Sequence, residues 1–209
     1  MKQSDAVSHT RGESQYVDDM SQPSEMLYAA VFSSPVMHGK ITALHIQDAC
    51  SMDGIVAVLT SKDIPGENQI GPIVQDEELL ASEEVCYVGQ PVALVIGTSP
   101  EIARRGVKMI TVDIEQLPAI TDPKEAFSKG KTIGPPRTFI LGDAEATWQK
   151  CDHVLEGSCD IGGQEHVYLE TQRARAIPLE ENNLCIYSAT QGPSAVQRHA
   201  AKVLGLPAH

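Results

Sequence analysis

The chain has 209 residues, of which 42% are apolar, and a formal net charge of −12 at pH 7. Its length and apolar content favour one large or two modest folded domains and argue against a disordered chain. The negative charge argues against nucleic acid and anionic membranes as partners, because both attract clustered Lys and Arg, and no apolar run approaches the roughly 20 residues of a membrane span.

The N-terminal region is polar and lacks the apolar core of a secretion signal. Residues 1–25 are expected to begin as a loose arm, with residues 1–14 preceding the first domain. We therefore expect a cytoplasmic protein.

Apolar and alternating runs predict the strands of a first α+β domain. Strands are expected at residues 26–33, 40–48 and 55–59, with Asp53 and Gly54 forming a turn before the third. A loop rich in Gly, Asn and acidic residues follows. Two further strands, at residues 85–87 and 92–96, are separated by a hinge at Gly89-Gln90-Pro91.

Helix-start residues mark the next elements. Ser99 is a suitable N-cap, Pro100 suits the first helical position, and the helix is expected to run to about Lys108. A strand at residues 109–114 would complete a strand, helix and strand in βαβ-like order. A short helix from Asp122 to Phe127 closes the domain.

A Gly- and Pro-rich stretch around residues 129–136 predicts a domain boundary. Beyond it we expect a short helix capped by Asp143, and strands at residues 152–161, 166–177 and 184–189. A helix over residues 193–204 would stop at Gly205. Two strands and one helix leave an apolar face uncovered unless more chain packs on it.

A diglycine followed by an amide is the most informative local feature. Gly162 and Gly163 let the backbone approach a bulky ligand, and Gln164 offers two N–H donors and a carbonyl acceptor. The alternation that follows would place His166, Tyr168 and Glu170 on one face of a strand. The pattern therefore predicts Gln164 at a strand edge. The structural alternative, a glutamine capping a strand at a Gly-Gly turn, is favoured by spacing alone.

Several runs in unbroken order resemble the molybdenum-cofactor subunit of xanthine dehydrogenases and aldehyde oxidases. The Gly162–Gln172 run favours the xanthine dehydrogenase branch. The other matching runs are Tyr16-Val17-Asp18-Asp19-Met20, Ser34-Pro35-Val36-Met37-His38-Gly39-Lys40-Ile41, Asp76-Glu77-Glu78-Leu79-Leu80-Ala81, Val88-Gly89-Gln90-Pro91-Val92-Ala93, Leu117-Pro118-Ala119 and Gln191-Gly192-Pro193.

The resemblance implies an α+β fold: a mixed α/β hammerhead-type domain at residues 15–127, a linker at 128–142, and the truncated beginning of a molybdopterin-binding domain at 143–209. It implies that Gln164, presented by Gly162 and Gly163, donates a hydrogen bond to an oxygen ligand of molybdenum without binding the metal itself. No catalytic residue is assigned with certainty, because the family's general base and substrate-binding residues would lie beyond residue 209.

The resemblance also implies an activity and its partners. The whole enzyme would hydroxylate a purine such as hypoxanthine or xanthine, with oxygen from water, or an aldehyde or other N-heterocycle. Its cofactor would be molybdenum-molybdopterin, either plain or as the cytosine dinucleotide. FAD and 2Fe-2S clusters would lie on partner subunits or domains of a hetero-oligomer. The fragment alone would be inactive. The rival interpretation is a non-catalytic scaffold or subunit interface.

Other candidate chemistry is weaker. Carboxylates and imidazole at short spacing bind zinc, so Glu165, His166 and Glu170 suggest a zinc site. However, only one His is present and the remaining ligands are missing. The acidic runs near residues 76–78 and 83–84 have the pattern of a solvated loop. The cysteines are scattered, lack a Cys-x-x-Cys pair and are interpreted as buried or incidental thiols: Cys50, Cys86, Cys151, Cys159 and Cys185.

Overall fold

The computed structural model describes residues 5–208, in which no helix is long and apolar enough to cross a membrane. The chain divides into two units, one formed by Met1–Ala119 with Leu169–His209 and the other by Ile120–Tyr168. The strands are β1 (Tyr28–Ser33), β2 (Gly39–His45), β3 (Ile55–Thr60), β4 (Glu84–Val85), β5 (Pro91–Gly97), β6 (Thr111–Gln116), β7 (Ala174–Pro178) and β8 (Leu184–Ser188). The α-helices are α1 (Ala6–Arg11), α2 (Gln47–Cys50), α3 (Pro100–Val107), α4 (Pro123–Ser128), α5 (Ala144–Trp148) and α6 (Pro193–Leu204).

Two three-stranded antiparallel sheets form the first unit, in the orders β1-β5-β3 and β4-β2-β6. Strand β5 is central in its sheet, and in its apolar run Val92, Ala93 and Val95 are buried. The predicted order of strand, helix and strand is confirmed as β5, α3 and β6, but the two strands lie in different sheets and do not form a βαβ unit. Helix α3 therefore crosses between sheets rather than between parallel neighbours.

The core consists of two adjoining apolar clusters. Ala49, Ala93, Val95 and Ile110 form one, and Ala81, Val85 and Val92 form the other. The partly buried side chains of Phe32 and Leu44 pack against both clusters, so the two sheets share a continuous interior.

Helix α3 packs closely on this interior. The Ser99 hydroxyl accepts the Ile102 N–H at 3.2 Å, which confirms the predicted N-cap. A Cβ at Gly106 would lie 2.7 Å from Ile55 Cδ1 and 2.8 Å from Val95 Cγ1. Glycine at this position is therefore what allows the helix to approach the sheet.

The N-terminal arm is more ordered than the sequence predicts. Residues 6–11 form α1, and a 3₁₀ turn covers Val17–Asp19. Residues 1–4, also assigned to the arm, lie outside the described part of the chain.

A hairpin of β7 and β8 followed by α6 completes the first unit. The last turn of α6 contacts the loop after β3, where the N–H groups of Gly66 and Glu67 donate to the Val203 and Lys202 carbonyls at 2.8 and 3.0 Å. Carbonyls at a helix C-terminus have no partner within the helix, so the loop supplies one. Gly205 follows with φ 66°, as the predicted helix stop requires.

The second unit contains only two short helices. Asp122 and Asp143 cap α4 and α5 by accepting N–H groups at 2.8 and 2.9 Å, as predicted. Its large apolar side chains are exposed: Phe127, Ile133, Phe139, Ile140, Leu141, Trp148, Val154, Leu155, Ile161, Val167 and Tyr168. Within this unit, therefore, no apolar core is formed.

Candidate functional site

Gln164 lies in an extended, irregular segment that connects α5 to β7. Its side chain is exposed and makes no hydrogen bond within residues 5–208. A Cβ placed on Gly162 or Gly163 would meet no atom within 4 Å. The segment thus leaves open space beside the amide, and both N–H donors are available to a ligand.

The strand predicted at residues 166–177 is wrong over most of its length, and that at 152–161 is not formed. Only Ala174–Pro178 pairs, with β8. Val167 has φ 50°, which breaks an extended run. His166, Tyr168 and Glu170 therefore do not share a strand face, and Gln164 is not at a strand edge. The alternating residues after Gln164 have no partner strand and no buried face, and a strand is not stable without both.

A second glutamine of this chain, Gln90, has a structural role. Gln90 is 6% exposed, and its side-chain carbonyl accepts the Cys86 N–H at 2.7 Å. Its backbone carbonyl accepts the Ser34 N–H at 2.8 Å. Gln90 therefore stabilises the turn before β5, whereas Gln164 has no comparable internal partner.

Polar contacts anchor the downstream end of the Gly162–Gln172 run. Glu170 Oε1 accepts the Val17 N–H at 2.8 Å. Arg173 forms an ion pair with Asp18 at 3.2 Å, and Arg175 donates to the Ser21 carbonyl at 2.8 Å. These partners were not predicted from the sequence. They lie about 150 residues apart, and no local pattern predicts such contacts.

Two concave regions occur in the first unit. A groove of about 830 Å³ lies between β8 and α6, with Ile186, Val196, Ala200 and Leu204 among its lining residues. A smaller cavity of about 230 Å³ lies where residues 16–19 meet residues 169–173. Apolar side chains of α6 line the large groove, which agrees with the expectation that two strands and one helix leave an apolar face uncovered.

The described residues contain no group of three or more His, Cys, Asp or Glu side chains that could hold a metal ion. Glu165 Oε1 instead accepts the backbone N–H of His166 at 3.1 Å. All five cysteines are free, and Cys185 is half-buried while the other four are exposed. Of the predicted alternatives, buried or incidental thiols, four cysteines are therefore not buried. Although the Cys86 residue is exposed, partial desolvation of its sulfur and the nearby Glu84 and Glu78 carboxylates raise the pKa of this thiol, which disfavours its thiolate.

What this arrangement can do chemically is limited but specific. Gln164 can donate hydrogen bonds to an anionic or strongly polar group on a large ligand, and the glycines before it keep the approach clear. These features fit a cofactor that carries its own metal ligands, because the protein then needs to contribute a donor and not a coordinating side chain.

Comparison with known families assigns both halves of the chain. Residues 11–118 match the model described as "Aldehyde oxidase and xanthine dehydrogenase, a/b hammerhead domain". Residues 128–209 match the model described as "Molybdopterin cofactor-binding domain".

Individual relatives cover nearly the whole chain. The chain is 36% identical over 207 residues, 98% of its length, to a xanthine dehydrogenase from Calliphora vicina. It is 34% identical over 203 residues, 96% of its length, to aldehyde oxidase 2 from Cavia porcellus. The chain spans 15% of the length of each relative. The solved aldehyde oxidoreductase from Desulfovibrio gigas superimposes with a TM-score of 0.84 at 26% identity, over 98% of this chain and 25% of that one.

Proposed function

Because the chain belongs to the aldehyde oxidase and xanthine dehydrogenase family, we propose that it supplies the Gln164-bearing part of a molybdenum hydroxylase. Family membership confirms the resemblance carried by the sequence motifs. It also confirms the predicted α+β fold, a hammerhead domain followed by the beginning of a molybdopterin-binding domain.

The observation that carries this proposal is the free amide of Gln164 beside two uncrowded glycines. When bound, the molybdenum-molybdopterin cofactor supplies the redox chemistry by which oxygen from water is added to a substrate carbon. In this chain Gln164 would donate an N–H to the bound cofactor, and Gly162 and Gly163 would leave room for it. A fixed donor of this kind stabilises charge that develops during the reaction, most strongly where water is excluded.

The substrate proposed is a purine such as hypoxanthine or xanthine. The family-like motifs favour this choice, and the Calliphora vicina relative is named as a xanthine dehydrogenase. An aldehyde or another N-heterocycle is the alternative, supported by the Cavia porcellus relative named as an aldehyde oxidase. FAD and 2Fe-2S clusters are proposed to lie on other domains or subunits of a cytoplasmic hetero-oligomer, with the pterin either plain or as the cytosine dinucleotide.

The domain division follows from the same proposal. Residues 1–14 form the arm, 15–127 the hammerhead-type domain, 128–142 the linker, and 143–209 the beginning of the cofactor-binding domain. A non-catalytic scaffold or interface module is the rival function. It is favoured by the apolar side chains that residues 120–168 leave exposed, which suit burial against another chain.

The test replaces Gln164 by Ala in the longer polypeptide that carries this sequence. Losing a donor to a metal-bound group reduces activity by about 10- to 100-fold, and we expect that loss in xanthine turnover at unchanged molybdenum content. Gln149→Ala is the matched control, since Gln149 is an exposed glutamine of the same unit.

Wild-type turnover by the Gln164→Ala enzyme would remove Gln164 from the mechanism. The 209-residue chain, purified alone, is expected to hold no stoichiometric molybdenum and to oxidise no xanthine. Metal analysis that finds bound molybdenum in it would contradict this expectation.

A further inference from the structure

The loop after β3 connects the core of the first unit to the end of α6. Residues 66–80, called the clamp loop below, lie in the part of the chain that matches the hammerhead model, and α6 lies in the part that matches the cofactor-binding model. Both belong to the first compact unit. A contact between them therefore joins two regions that separate family models describe.

The clamp loop is attached to the core at its far end. The Asn68 side chain bonds twice to Leu80, donating to its carbonyl at 2.8 Å and accepting its N–H at 3.1 Å. Leu80 is only 7% exposed. Within the loop, Gln69 Oε1 accepts the N–H groups of Gly71 and Glu77 at 2.7 and 3.0 Å. These amide side chains close the loop on itself and fix it to the buried residues.

The near end of the clamp loop meets the backbone of α6 at Gly66, whose N–H donates to the Val203 carbonyl at 2.8 Å. A Cβ on Gly66 would lie 2.1 Å from the Lys202 carbonyl oxygen and 2.6 Å from the Gly205 nitrogen. Both of these are backbone atoms, which cannot rotate away as a side chain can. Only glycine at position 66 therefore allows the loop and the helix to approach this closely.

Lys202 adds a second connection from the last turn of α6. Its Nζ lies 3.0 Å from Glu67 Oε2 and also donates to Gln75 Oε1, so one ammonium group holds two separate points of the clamp loop. The Lys202 side chain is 28% exposed, whereas that of Glu67 is 71% exposed and is screened by water. A positive charge here also complements the partial negative charge at a helix C-terminus.

We propose that the clamp loop is a device that couples α6 to the core of the first unit, with Gly66 and Lys202 as the residues that make the coupling. A two-stranded hairpin such as β7 and β8 has little stability of its own, so the helix beside it depends on further contacts. Release of the clamp loop lets α6 open locally while the sheet around β5 stays folded. The coupling is a property of this chain and does not depend on the proposed function.

The experiment measures amide hydrogen exchange of the 209-residue chain by nuclear magnetic resonance. Gly66→Ala removes the backbone bonds to α6, so exchange at Glu67 and at residues 201–203 should accelerate about tenfold, with β5 unchanged. Gly157→Ala is the matched control, because a Cβ on Gly157 would meet no atom within 4 Å.

Lys202→Met keeps most of the side-chain length but removes the charge and the donors. The same amides should then exchange about threefold faster, a smaller effect because the backbone bonds remain. Lys202→Arg keeps a charged donor and should restore most of the protection. Lys62→Met is the control, since Lys62 is an exposed lysine just before the clamp loop.

Wild-type exchange at Glu67 and in α6 of the Gly66→Ala chain would overturn the proposal. So would an equal loss of protection in α6 and β5, because α6 would then open only with the whole unit. An effect of Lys202→Met no larger than that of Lys62→Met would overturn the part assigned to Lys202.

Discussion

His38 is held by two acceptors at once. Its Nδ1 lies 2.8 Å from the Pro118 carbonyl oxygen and its Nε2 lies 2.8 Å from Glu84 Oε1. A neutral imidazole carries one N–H and can satisfy only one of these atoms, whereas the protonated ring donates to both. The Pro118 carbonyl, and after it the Glu84 carboxylate, accordingly raise the pKa of His38 above 6.5.

This geometry predicts a pH dependence of stability. The folded-state pKa of His38 is raised, so the stabilisation is fully present below pH 6.5 and is lost as the pH rises through the folded value. We expect the urea midpoint of the 209-residue chain to fall between about pH 6 and about pH 8, and this fall to be smaller in His38→Gln.

Neighbouring carboxylates provide the control for His38. Glu84→Gln removes the charged partner and should weaken the pH dependence, whereas Glu83→Gln should leave it as in the wild type. Equal pH profiles for the wild type and His38→Gln would show that the two hydrogen bonds do not favour the charged ring.

At the scale of elements, the same capping chemistry has different consequences in different helices. Ser99 caps α3, whose Ala103 and Gly106 are buried against the sheet. Asp143 caps α5, which has no buried residue. A cap contributes to the stability of a folded unit only if the helix it stabilises is packed into that unit.

We therefore expect Ser99→Ala to lower the free energy of unfolding of the first unit by about 1 kcal/mol. Urea unfolding followed by circular dichroism at the sheet and helix bands measures this value. Asp143→Ala is the matched control and should leave that transition unchanged, while altering the fluorescence of Trp148 at the end of α5. Equal shifts of the main transition in both variants would indicate that α5 is packed as firmly as α3.

At the scale of the whole molecule, the two units differ in how far burial protects their backbone amides from hydrogen exchange. The strands around β5 bury Val92, Ala93 and Val95, whereas residues 149–168 are exposed throughout. Backbone groups without buried apolar neighbours or regular hydrogen bonds open at little cost in free energy.

Hydrogen exchange should reproduce this difference. Amides of β5 are expected to exchange only on global unfolding, and those of residues 149–168 within the first time points. In the longer polypeptide that we propose, the second group should become protected, since its exposed apolar side chains suit burial there. Slow exchange of residues 149–168 in the isolated chain would contradict the two-unit description.

Local chemistry explains which elements the sequence predicted well. Caps at Ser99, Asp122 and Asp143, and the stop at Gly205, depend on residues within a few positions of each other, and all four are observed. Strands β1, β3 and β5 were predicted from their apolar runs, and of the three only β5, which lies between the other two, has fully buried residues. By contrast, the strands predicted near residues 152–161 and 166–177 depended on alternation alone, which needs a partner strand to become structure.

The candidate site was predictable to the same degree. The residue types at Gly162 and Gly163 predicted an open approach to Gln164, and a Cβ on either glycine would meet no atom within 4 Å. That Gln164 serves a cofactor stays a prediction. The anchoring of the run by Glu170, and the assignment of β5 and β6 to different sheets, were not predictable from sequence.

The sequence by itself thus determined the approximate limits of helices α3 to α6, the apolar strands and the family-like motifs, because these depend on neighbouring residues and on residue type. Only the tertiary structure decided which strands pair, and that the loop at Gly66 caps α6 and Glu170 meets Val17. The contacts of Gly66 with α6 and of Glu170 with Val17 join residues more than 130 positions apart. Their free energy depends on how the whole unit packs, which no local run of residues encodes.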